Sequence, residues 1–229
     1  MDKLRLCLIS DTHGKHNELV IPSDIDILIH SGDVSNFGTK PQIKDFLDWF
    51  SNQNARYKIF CAGNHDYYFD DKHSKVENKL DIIPENVIYL QDSSVVIDDV
   101  KIYGTPWQPY FYNWAFNLHR GKDISEKWDL IENDCDIFIS HGPPANISSL
   151  DKCVDGRHVG CVDLIKKIEE IKPTLVAFGH IHEGYGCFSK IVDKKEITFI
   201  NASVLNERYE MKNKPVVVEF LKSKNINIL

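Results

Sequence analysis

The sequence predicts an α/β fold in which two mixed β-sheets pack face to face between helices. Five continuous, mostly apolar runs bounded by Gly or Pro have the character of strands buried on both faces. Segments with helical periodicity lie between several of these runs. This alternation is typical of parallel sheets covered by helices. Shorter strand-like stretches joined by tight turns indicate antiparallel strands at the sheet edges. The five buried runs cover residues 4–10, 25–31, 57–62, 136–140 and 174–178.

Three segments are expected to be helices because their apolar residues recur at a spacing of three or four. The first, 41–54, begins at Pro41, a residue that suits a first helical turn. The second is 123–131, and the third is 159–171, which Pro173 ends. Their apolar faces are Ile43, Phe46, Leu47 and Phe50 in the first, Ile124, Trp128 and Ile131 in the second, and Val162, Ile165 and Ile168 with either Leu164 or Ile171 in the third.

Two parts of the chain have the pattern of sheet edges. One contains three short strands, and the Asp98-Asp99 pair between the last two is typical of a hairpin turn. The end of the chain repeats this style, so we expect antiparallel strands at two sheet edges. The short strands are predicted at 87–90, 94–97, 100–103, 196–200 and 215–220.

Length and composition indicate one ordinary globular domain, which we expect to cover residues 1–229. The chain has 229 residues, of which 42% are hydrophobic and 27% charged, enough to bury one substantial core. The formal net charge of -7 opposes an anionic phosphate backbone, so no long nucleic acid is expected as a partner. No stretch approaches the ~20 apolar residues that span a bilayer, so no membrane partner is expected.

The amino-terminal residues and the cysteines predict a cytoplasmic protein. The first residues lack the long apolar run and the small-residue cleavage site of a signal peptide. The six cysteines include no Cys-x-x-Cys pair, so a thiolate zinc site is not expected. We expect them to be free thiols in a reducing compartment.

Five short polar blocks stand where the buried runs end. Their carboxylate, amide and imidazole groups are the ligands that a pair of divalent metals needs, whereas a core does not need them. Because strand ends of an α/β sheet meet at one edge, where ligand sites usually lie, we expect the blocks to converge. The blocks are Asp11-Thr12-His13, Gly32-Asp33, Gly63-Asn64-His65-Asp66, His141-Gly142-Pro143-Pro144 and Gly179-His180-Ile181-His182.

In this order the blocks resemble the motifs of the calcineurin-like metallophosphoesterases, a superfamily of binuclear phosphoesterases. The pattern D-x-H, G-D-x, G-N-H-D/E, H and G-H-x-H is matched at every polar position, from Leu4 to the region of Ser203. The resemblance implies a four-layer α/β/β/α sandwich. The chain is also similar to the subgroup of metallophosphoesterase-domain-containing proteins, small cytosolic members associated with cyclic-nucleotide phosphodiester hydrolysis. That similarity rests on the aromatic segment 104–121, HGPP, Gly160-Cys161, GHIHEGYG (179–186) and Asn201-Ala202-Ser203.

The resemblance implies two divalent metal ions held by seven residues of the blocks. A carboxylate can present oxygen to two cations, whereas a neutral imidazole nitrogen cannot, so an Asp suits a shared position. Mixed nitrogen and oxygen ligation favours transition metals over Ca or Mg; Mn is preferred, and Fe, Zn, Co and Ni stay open. Carried over by motif, Asp11, His13 and His182 bind the first ion, Asn64, His141 and His180 bind the second, and Asp33 bridges both.

The resemblance also implies hydrolysis by direct attack of a metal-bridging hydroxide, without a phospho-enzyme. The departing alkoxide then needs a proton. His65 is the candidate general acid, because it adjoins the predicted ligand Asn64 and is not itself assigned to a metal. Asp66 is expected either to accept a hydrogen bond from the second ring nitrogen of His65 or to shape a turn. The predicted catalytic residues are therefore His65 and Asp66.

The substrate class depends on the subgroup resemblance and on the aromatic segment 104–121, which has no clean period. Its rings can cover the core as an Ω-like loop, or can wall a pocket in which a ring stacks on a nucleobase. We favour a small phosphodiester as substrate, and within that class a cyclic nucleotide. The alternatives are a phosphomonoesterase or protein phosphatase using the same site, and a nucleotide-binding regulator or scaffold with little turnover. The aromatic residues are Trp107, Tyr110, Phe111, Tyr112, Trp114 and Phe116.

Overall fold

Fourteen β-strands and three α-helices are defined within residues 3–221 and 223–229, the part of the chain that the computed structural model describes. The first two residues of the amino-terminal segment discussed above lie outside it. None of the helices in this part is long and apolar enough to cross a bilayer. The strands are β1 (Lys3–Ile9), β2 (Ile25–Ser31), β3 (Ala55–Cys61), β4 (Ile88–Tyr89), β5 (Ser93–Ile97), β6 (Val100–Thr105), β7 (Gln108–Pro109), β8 (Asn117–Leu118), β9 (Ile137–Ser140), β10 (Leu175–Phe178), β11 (Gly186–Val192), β12 (Lys195–Asn201), β13 (Val216–Leu221) and β14 (Ile226–Ile228). The α-helices are α1 (Lys40–Ser51), α2 (Lys122–Trp128) and α3 (Val162–Ile171), and short 3-10 helices cover His16–Glu18, Lys79–Ile82 and His182–Gly184.

The strands form two six-stranded mixed sheets, as predicted, and β7 pairs with β8 separately. Sheet one has the order β14-β13-β1-β2-β3-β4, in which β1 to β4 are parallel and β13 and β14 join antiparallel. Sheet two has the order β11-β12-β10-β9-β6-β5, with four parallel strands between two antiparallel edges. The predicted Asp98-Asp99 turn joins β5 to β6, and both residues have the positive φ of a two-residue hairpin.

The prediction that 196–200 forms an antiparallel edge was wrong. The corresponding strand, β12, lies inside sheet two and pairs with β10 in parallel. The true edge is β11, which was not predicted and pairs antiparallel with β12. Its side chains are mostly exposed or half-buried, so the sequence shows no apolar alternation there. The strand at 87–90 is likewise parallel to its neighbour β3, and not an antiparallel edge.

The side chains of β1 show how the layers form. Leu4, Leu6 and Leu8 point into the apolar core between the two sheets, whereas Cys7 and Ile9 point to the outer face of sheet one. Both faces of the strand are therefore buried, as its continuous apolar run indicated. Helix α1 covers sheet one and helices α2 and α3 cover sheet two, which gives four layers in the order α/β/β/α. The helical residues buried in these contacts are Ile43, Phe46, Leu47, Phe50, Ile124, Trp128, Leu164, Ile168 and Ile171.

Helix α3 begins three residues later than predicted, and Val162 is 45% exposed and not part of its buried face. The backbone before it is bonded elsewhere. The Arg120 guanidinium donates to the carbonyl oxygens of Val159 and Gly160, at 2.7 and 2.8 Å. Cys161 donates its N–H to the carbonyl of Pro143 at 2.8 Å. Because these groups serve other partners, the helix starts only at Val162.

The six cysteines are free thiols in the structure. Burial raises the pKa of Cys7 and that of Cys135 to about 12. Both therefore stay protonated at neutral pH and act as small apolar core residues.

The two sheets are joined to each other at the carboxyl ends of their parallel strands. Ser10, directly after β1, forms a backbone bridge with Ser203, shortly after β12. Val204 donates its N–H to the Ser10 carbonyl at 3.0 Å. Within sheet two, Gly179 after β10 donates to the carbonyl of His141 after β9, also at 3.0 Å. The ends of strands from both sheets therefore meet at one edge of the molecule.

We expect Phe46→Ala to destabilise the fold strongly. Phe46 is fully buried, stacks on Phe50 with ring centroids 5.0 Å apart, and meets Phe60 edge-on at 5.6 Å. Removing such a side chain leaves a cavity and costs about 3–5 kcal/mol of unfolding free energy. The control is Phe37→Ala, at a residue 69% exposed, which should change stability by less than ~0.5 kcal/mol. Urea unfolding measures both, and similar losses for the two variants would contradict the assigned core.

Candidate metal centre

The five predicted blocks lie at the carboxyl ends of parallel strands. Three of them follow β1, β2 and β3 of sheet one, and two follow β9 and β10 of sheet two. Because the sheets are joined at this edge, the blocks converge on one site. The structure brings together in it all seven residues predicted to bind metal, which are Asp11, His13, Asp33, Asn64, His141, His180 and His182.

A first group consists of Asp11, His13 and His182, whose candidate ligand atoms all lie within 4.8 Å of one another. Oδ1 of Asp11 is 3.6 Å from Nε2 of His182. All three residues are buried. This is the set that the resemblance implied for the first ion.

A second group consists of Asp33, His141 and His180, again with candidate ligand atoms within 4.8 Å. Nε2 of His141 lies 3.3 Å from Oδ2 of Asp33 and 2.9 Å from Oδ1 of Asn64. Asn64 therefore belongs to this group. These four residues are the set that the resemblance implied for the second ion.

Asp33 lies between the two groups. Its Oδ2 is 3.3 Å from Nε2 of His141 and 3.6 Å from Nε2 of His13, so one oxygen faces both groups. Its Oδ1 accepts the backbone N–H of His65 at 2.8 Å, which fixes the orientation of the carboxylate. This position suits a carboxylate that serves two cations at once.

Two glycines of the blocks allow the carboxylates to pack against backbone. A Cβ on Gly63 would lie 2.3 Å from Oδ1 of Asp33, and a Cβ on Gly179 would lie 2.1 Å from Oδ2 of Asp11. Neither distance is possible for real atoms. The glycines in these blocks are therefore explained by the aspartates that they face across the site, and not by their own turns alone.

Four of the predicted ligands have left-handed backbone conformations. Asp11 and Asp33 each have φ 55°, His13 has φ 44° and His180 has φ 70°. This region is rare for residues other than glycine, although Asp and His are enriched among those that adopt it. Such conformations cost on the order of 1–3 kcal/mol each and cluster at functional sites, where the surrounding structure enforces them.

Three imidazoles of the site are oriented by a hydrogen bond from Nδ1–H to a backbone carbonyl oxygen. Because a neutral imidazole carries one N–H, each of these rings in its neutral form presents the lone pair of Nε2 to the site. Histidines that bind metals are usually held in this manner. The bonds join His141 to Ser31 at 3.0 Å, His182 to Asn206 at 3.0 Å and His65 to Asn36 at 2.8 Å.

Burial and the neighbouring carboxylates set the charges of the imidazoles. Burial lowers the pKa of His13 to about 4 and that of His180 to about 3, so both are neutral at pH 7. Burial also disfavours the charged form of His141, but the Asp33 carboxylate outweighs it and raises the pKa of His141 to about 9. The pKa of His182 is raised as well, because its contact with Asp11 outweighs burial.

The residues of the site fit a pair of divalent transition metal ions. Both ring nitrogens of the buried His13 lack a hydrogen bond to any residue in the described part of the chain. Nε2 of His141 faces two acceptor oxygens, those of Asn64 and Asp33, so only a proton or a metal ion makes this contact favourable. Imidazole nitrogen combined with carboxylate and amide oxygen suits Mn, Fe, Zn, Co or Ni.

Asp66 does not hold the ring of His65, so that expectation was wrong. The Nδ1 of His65 is bonded to a backbone carbonyl instead. The buried carboxylate of Asp66 holds together the loops that follow β2 and β3, and it therefore has the turn-shaping role that was the alternative. It accepts hydrogen bonds from the backbone N–H groups of Gly63, Val34 and Ser35 at 2.8, 3.2 and 3.0 Å.

The block Asn201-Ala202-Ser203, one of the motifs shared with the subgroup, supports the site. Ser203 donates its hydroxyl to Oδ2 of Asp11 at 2.6 Å. Asn201 donates to the carbonyl of Ile181 at 2.8 Å and so holds the loop between His180 and His182. The signal was present, since polar residues directly follow a buried run here too.

The aromatic segment 104–121 divides its rings between core and surface. Phe116 is buried beside Trp107, with ring centroids 5.4 Å apart. Tyr110 and Phe111 are 46% and 52% exposed, and they line a cleft of about 330 Å³ that also borders His180. The ring of Phe111 lies 6.4 Å from that of His180. The segment therefore covers the core with some residues and lines a cleft with others, while stacking of a ring on a nucleobase stays a prediction.

Comparison with known proteins gives consistent matches. A sequence profile described as calcineurin-like phosphoesterase matches residues 4–184, which include all seven predicted ligands. The chain is 37% identical to metallophosphoesterase domain-containing protein 1 of Homo sapiens, over 96% of this chain and 72% of that protein. It is 34% identical to a UPF0046 protein of Caenorhabditis elegans, over 93% and 74% respectively. The phosphopantetheinyl hydrolase of Mycobacterium tuberculosis has a similar fold, with TM-score 0.60 and 15% identity over 100% of this chain and 96% of that one.

We expect the metal-free chain to release protons when it binds Mn²⁺ at pH 7. With a pKa of about 9, His141 is protonated at that pH and must lose its proton to bind a metal, whereas His13 and His180 are already neutral. Release should approach about one proton from His141, with a further fraction from His182, and should decline as the pH rises through 9. Calorimetric titration in buffers of different ionisation enthalpy measures it. A release that stays the same from pH 7 to pH 10 would contradict the assignment.

Proposed function

The chain belongs to the calcineurin-like phosphoesterase family and is a metal-dependent phosphoester hydrolase, and on this premise we propose that it hydrolyses a small phosphodiester at a centre of two divalent metal ions. A cyclic nucleotide is the substrate that we favour, and manganese is the metal. In this proposal Asp11, His13 and His182 hold one ion, Asn64, His141 and His180 hold the other, and Asp33 contacts both.

The observation that carries the proposal is the cleft beside His180. A diester needs space for an organic group next to the phosphorus, and this cleft of about 330 Å³ begins at a proposed ligand. The half-exposed rings of Tyr110 and Phe111 on its wall offer flat apolar surface on which a nucleobase can stack. Arg157, also on the wall, pairs through Nε with Asp155 at 2.7 Å, and its guanidinium has further N–H donors suited to an anionic substrate.

The side chains of the proposed centre have different roles. When bound, the two ions polarise phosphoryl oxygens and lower the pKa of water. His13 and His180 are neutral at pH 7 because burial lowers their pKa values, so they are ready to donate nitrogen lone pairs. Asp33 contributes negative charge that offsets part of the charge of both ions. The left-handed backbone of His13, Asp33 and His180 keeps their side chains directed into the centre.

His65 is placed to protonate the leaving group. Its Nδ1 donates to the carbonyl of Asn36, and its Nε2 is directed toward the centre, 4.0 Å from Oδ2 of Asp33. An imidazolium keeps the Nδ1 bond while it gives the Nε2 proton to a departing alkoxide. After the transfer, the neutral ring is left in the tautomer that the Asn36 carbonyl already selects.

The proposal is tested with the purified chain loaded with Mn²⁺ and three substrate types: a cyclic nucleotide, an acyclic nucleotide diester and a phosphomonoester. We expect turnover of the diesters and weaker activity on the monoester. Phosphate release from monoesters alone would support the phosphatase alternative. Low bound metal and no turnover would support a scaffold, while tight nucleotide protection against thermal unfolding with little turnover would support a regulator.

Asp33→Asn should abolish activity while the fold is retained. The substitution removes the charge that faces both groups of ligands, so the bound Mn²⁺ per chain should fall together with the rate. The control is Asp48→Asn, at an exposed carboxylate that pairs with Lys44 on the surface of α1. Metal analysis, circular dichroism and diester hydrolysis are measured on both variants. If Asp33→Asn keeps most of its activity and both metals, the two-metal assignment is wrong.

His65→Ala should affect poor leaving groups far more than good ones. An alkyl leaving group needs a proton, so its hydrolysis should slow about 10²- to 10⁴-fold, whereas p-nitrophenolate needs none and should leave at nearly the usual rate. Bound metal should not change, which separates this variant from a ligand substitution. Equal losses for both leaving groups would remove the general-acid role from His65.

A further inference from the structure

Tyr209 lies directly against the proposed metal ligands. Its ring centroid is 4.8 Å from that of His13 and 5.0 Å from that of His182, two proposed ligands of the same ion. The residue is 42% exposed, so the ring packs on these imidazoles while part of it faces solvent. It is not among the residues that line the cleft beside His180.

The loop that carries Tyr209 holds it in a strained conformation. Its φ is 59°, in the left-handed region that aromatic residues rarely adopt. The backbone is fixed on both sides, since Tyr209 donates its N–H to the Asn206 carbonyl at 2.9 Å and its own carbonyl accepts from Nζ of Lys15 at 2.5 Å. The same Asn206 carbonyl accepts Nδ1–H of His182 at 3.0 Å. One loop therefore positions a proposed ligand and the Tyr209 ring together.

Tyr209 and the proposed general acid His65 are neighbours of the same imidazole, that of His13. The ring of His13 lies 4.8 Å from Tyr209 and 4.7 Å from His65. Because a general acid must reach the leaving oxygen, the position of His65 marks where the leaving group lies. Trp114 packs on His65 with ring centroids 4.2 Å apart, so this side carries a second aromatic ring.

We propose that Tyr209 contacts the leaving group of the substrate and makes the site selective for diesters whose leaving group carries a planar ring. This inference rests on the proposed function and deepens it. The centre then has two aromatic walls, one in the cleft with Tyr110 and Phe111, and one on the leaving-group side with Tyr209. A diester with a planar group on each arm occupies both walls, whereas a cyclic nucleotide, with a single base, occupies one.

Two diesters with the same leaving group distinguish contacts with one aromatic wall from contacts with the other. Methyl p-nitrophenyl phosphate has a planar leaving group and no second ring, and thymidine 5′-p-nitrophenyl phosphate adds a nucleoside on the other arm. With the Mn²⁺-loaded chain, Tyr209→Ala should raise KM about tenfold for both substrates, because a stacking contact is lost, and should leave kcat nearly unchanged. Tyr209→Phe keeps the ring and should restore the KM of the unsubstituted chain. Tyr110→Ala, the matched control in the cleft, should raise KM only for the thymidine substrate.

Three results would overturn the inference. A KM increase confined to the thymidine substrate would place Tyr209 beside the other arm. A fall of kcat on both substrates with loss of bound Mn²⁺ would show that the residue only supports His182. Unchanged KM values for Tyr209→Ala would show that it makes no contact with the leaving group.

The activity of the unsubstituted chain on the two diesters shows whether a failure concerns this inference alone or the proposed function as well. If this chain hydrolyses neither diester but releases phosphate from a monoester, the proposed function fails and the inference falls with it. If it hydrolyses both diesters and Tyr209→Ala does so with the same KM values, only the inference fails.

Discussion

The buried carboxylate of Asp33 is the constraint on which the rest of the site depends. It is only 2% exposed, and an unpaired charge in such a place is strongly unfavourable. The two oxygens of this carboxylate have different partners. Oδ1 accepts the backbone N–H of His65, while Oδ2 faces the nitrogens of His13 and His141. Gly63 must lack a side chain for Oδ1 to reach this position. One oxygen is thus held by the fold, and the other is left for cations, which explains why two groups of ligands share one centre.

Neither sheet alone can build either group of ligands. Sheet one supplies the oxygen donors Asp11, Asp33 and Asn64 together with His13, whereas the residues that follow sheet two are all imidazoles. Each group contains residues from both sheets, so its geometry depends on how the sheets pack. These two groups therefore depend on the apolar core between the sheets and on the backbone bridge of Ser10 with Ser203. The positions of the proposed ligands therefore depend on the packing of the core between the sheets.

Sequence alone could predict the two mixed sheets, the three helices and the convergence of the five polar blocks, because each block directly follows the strand that positions it. The assignment of seven ligands rests on the family resemblance and stays a prediction. Sequence could not predict how distant segments surround a residue. The Asp66 carboxylate accepts backbone N–H groups from the loop after β2 and from its own loop after β3. No local sequence pattern reveals these contacts. Tyr209 reaches His13 only because its loop folds back across the strand ends. The edge strand β11 is mostly exposed, so the apolar alternation that identifies half-buried strands is absent there.

The imidazoles of the site are positioned by two different means, and the division is informative. His65, His141 and His182 are each held by an Nδ1–H bond to a backbone carbonyl. Both ring nitrogens of His13 lack a hydrogen bond within the described ranges, and His13 and His180 both have left-handed backbone. The direction of Cα–Cβ, set by φ, does for them what a carbonyl partner does for the others. Backbone conformation therefore takes the place of a hydrogen bond in orienting His13, whose ring keeps a nitrogen lone pair for the proposed metal ion.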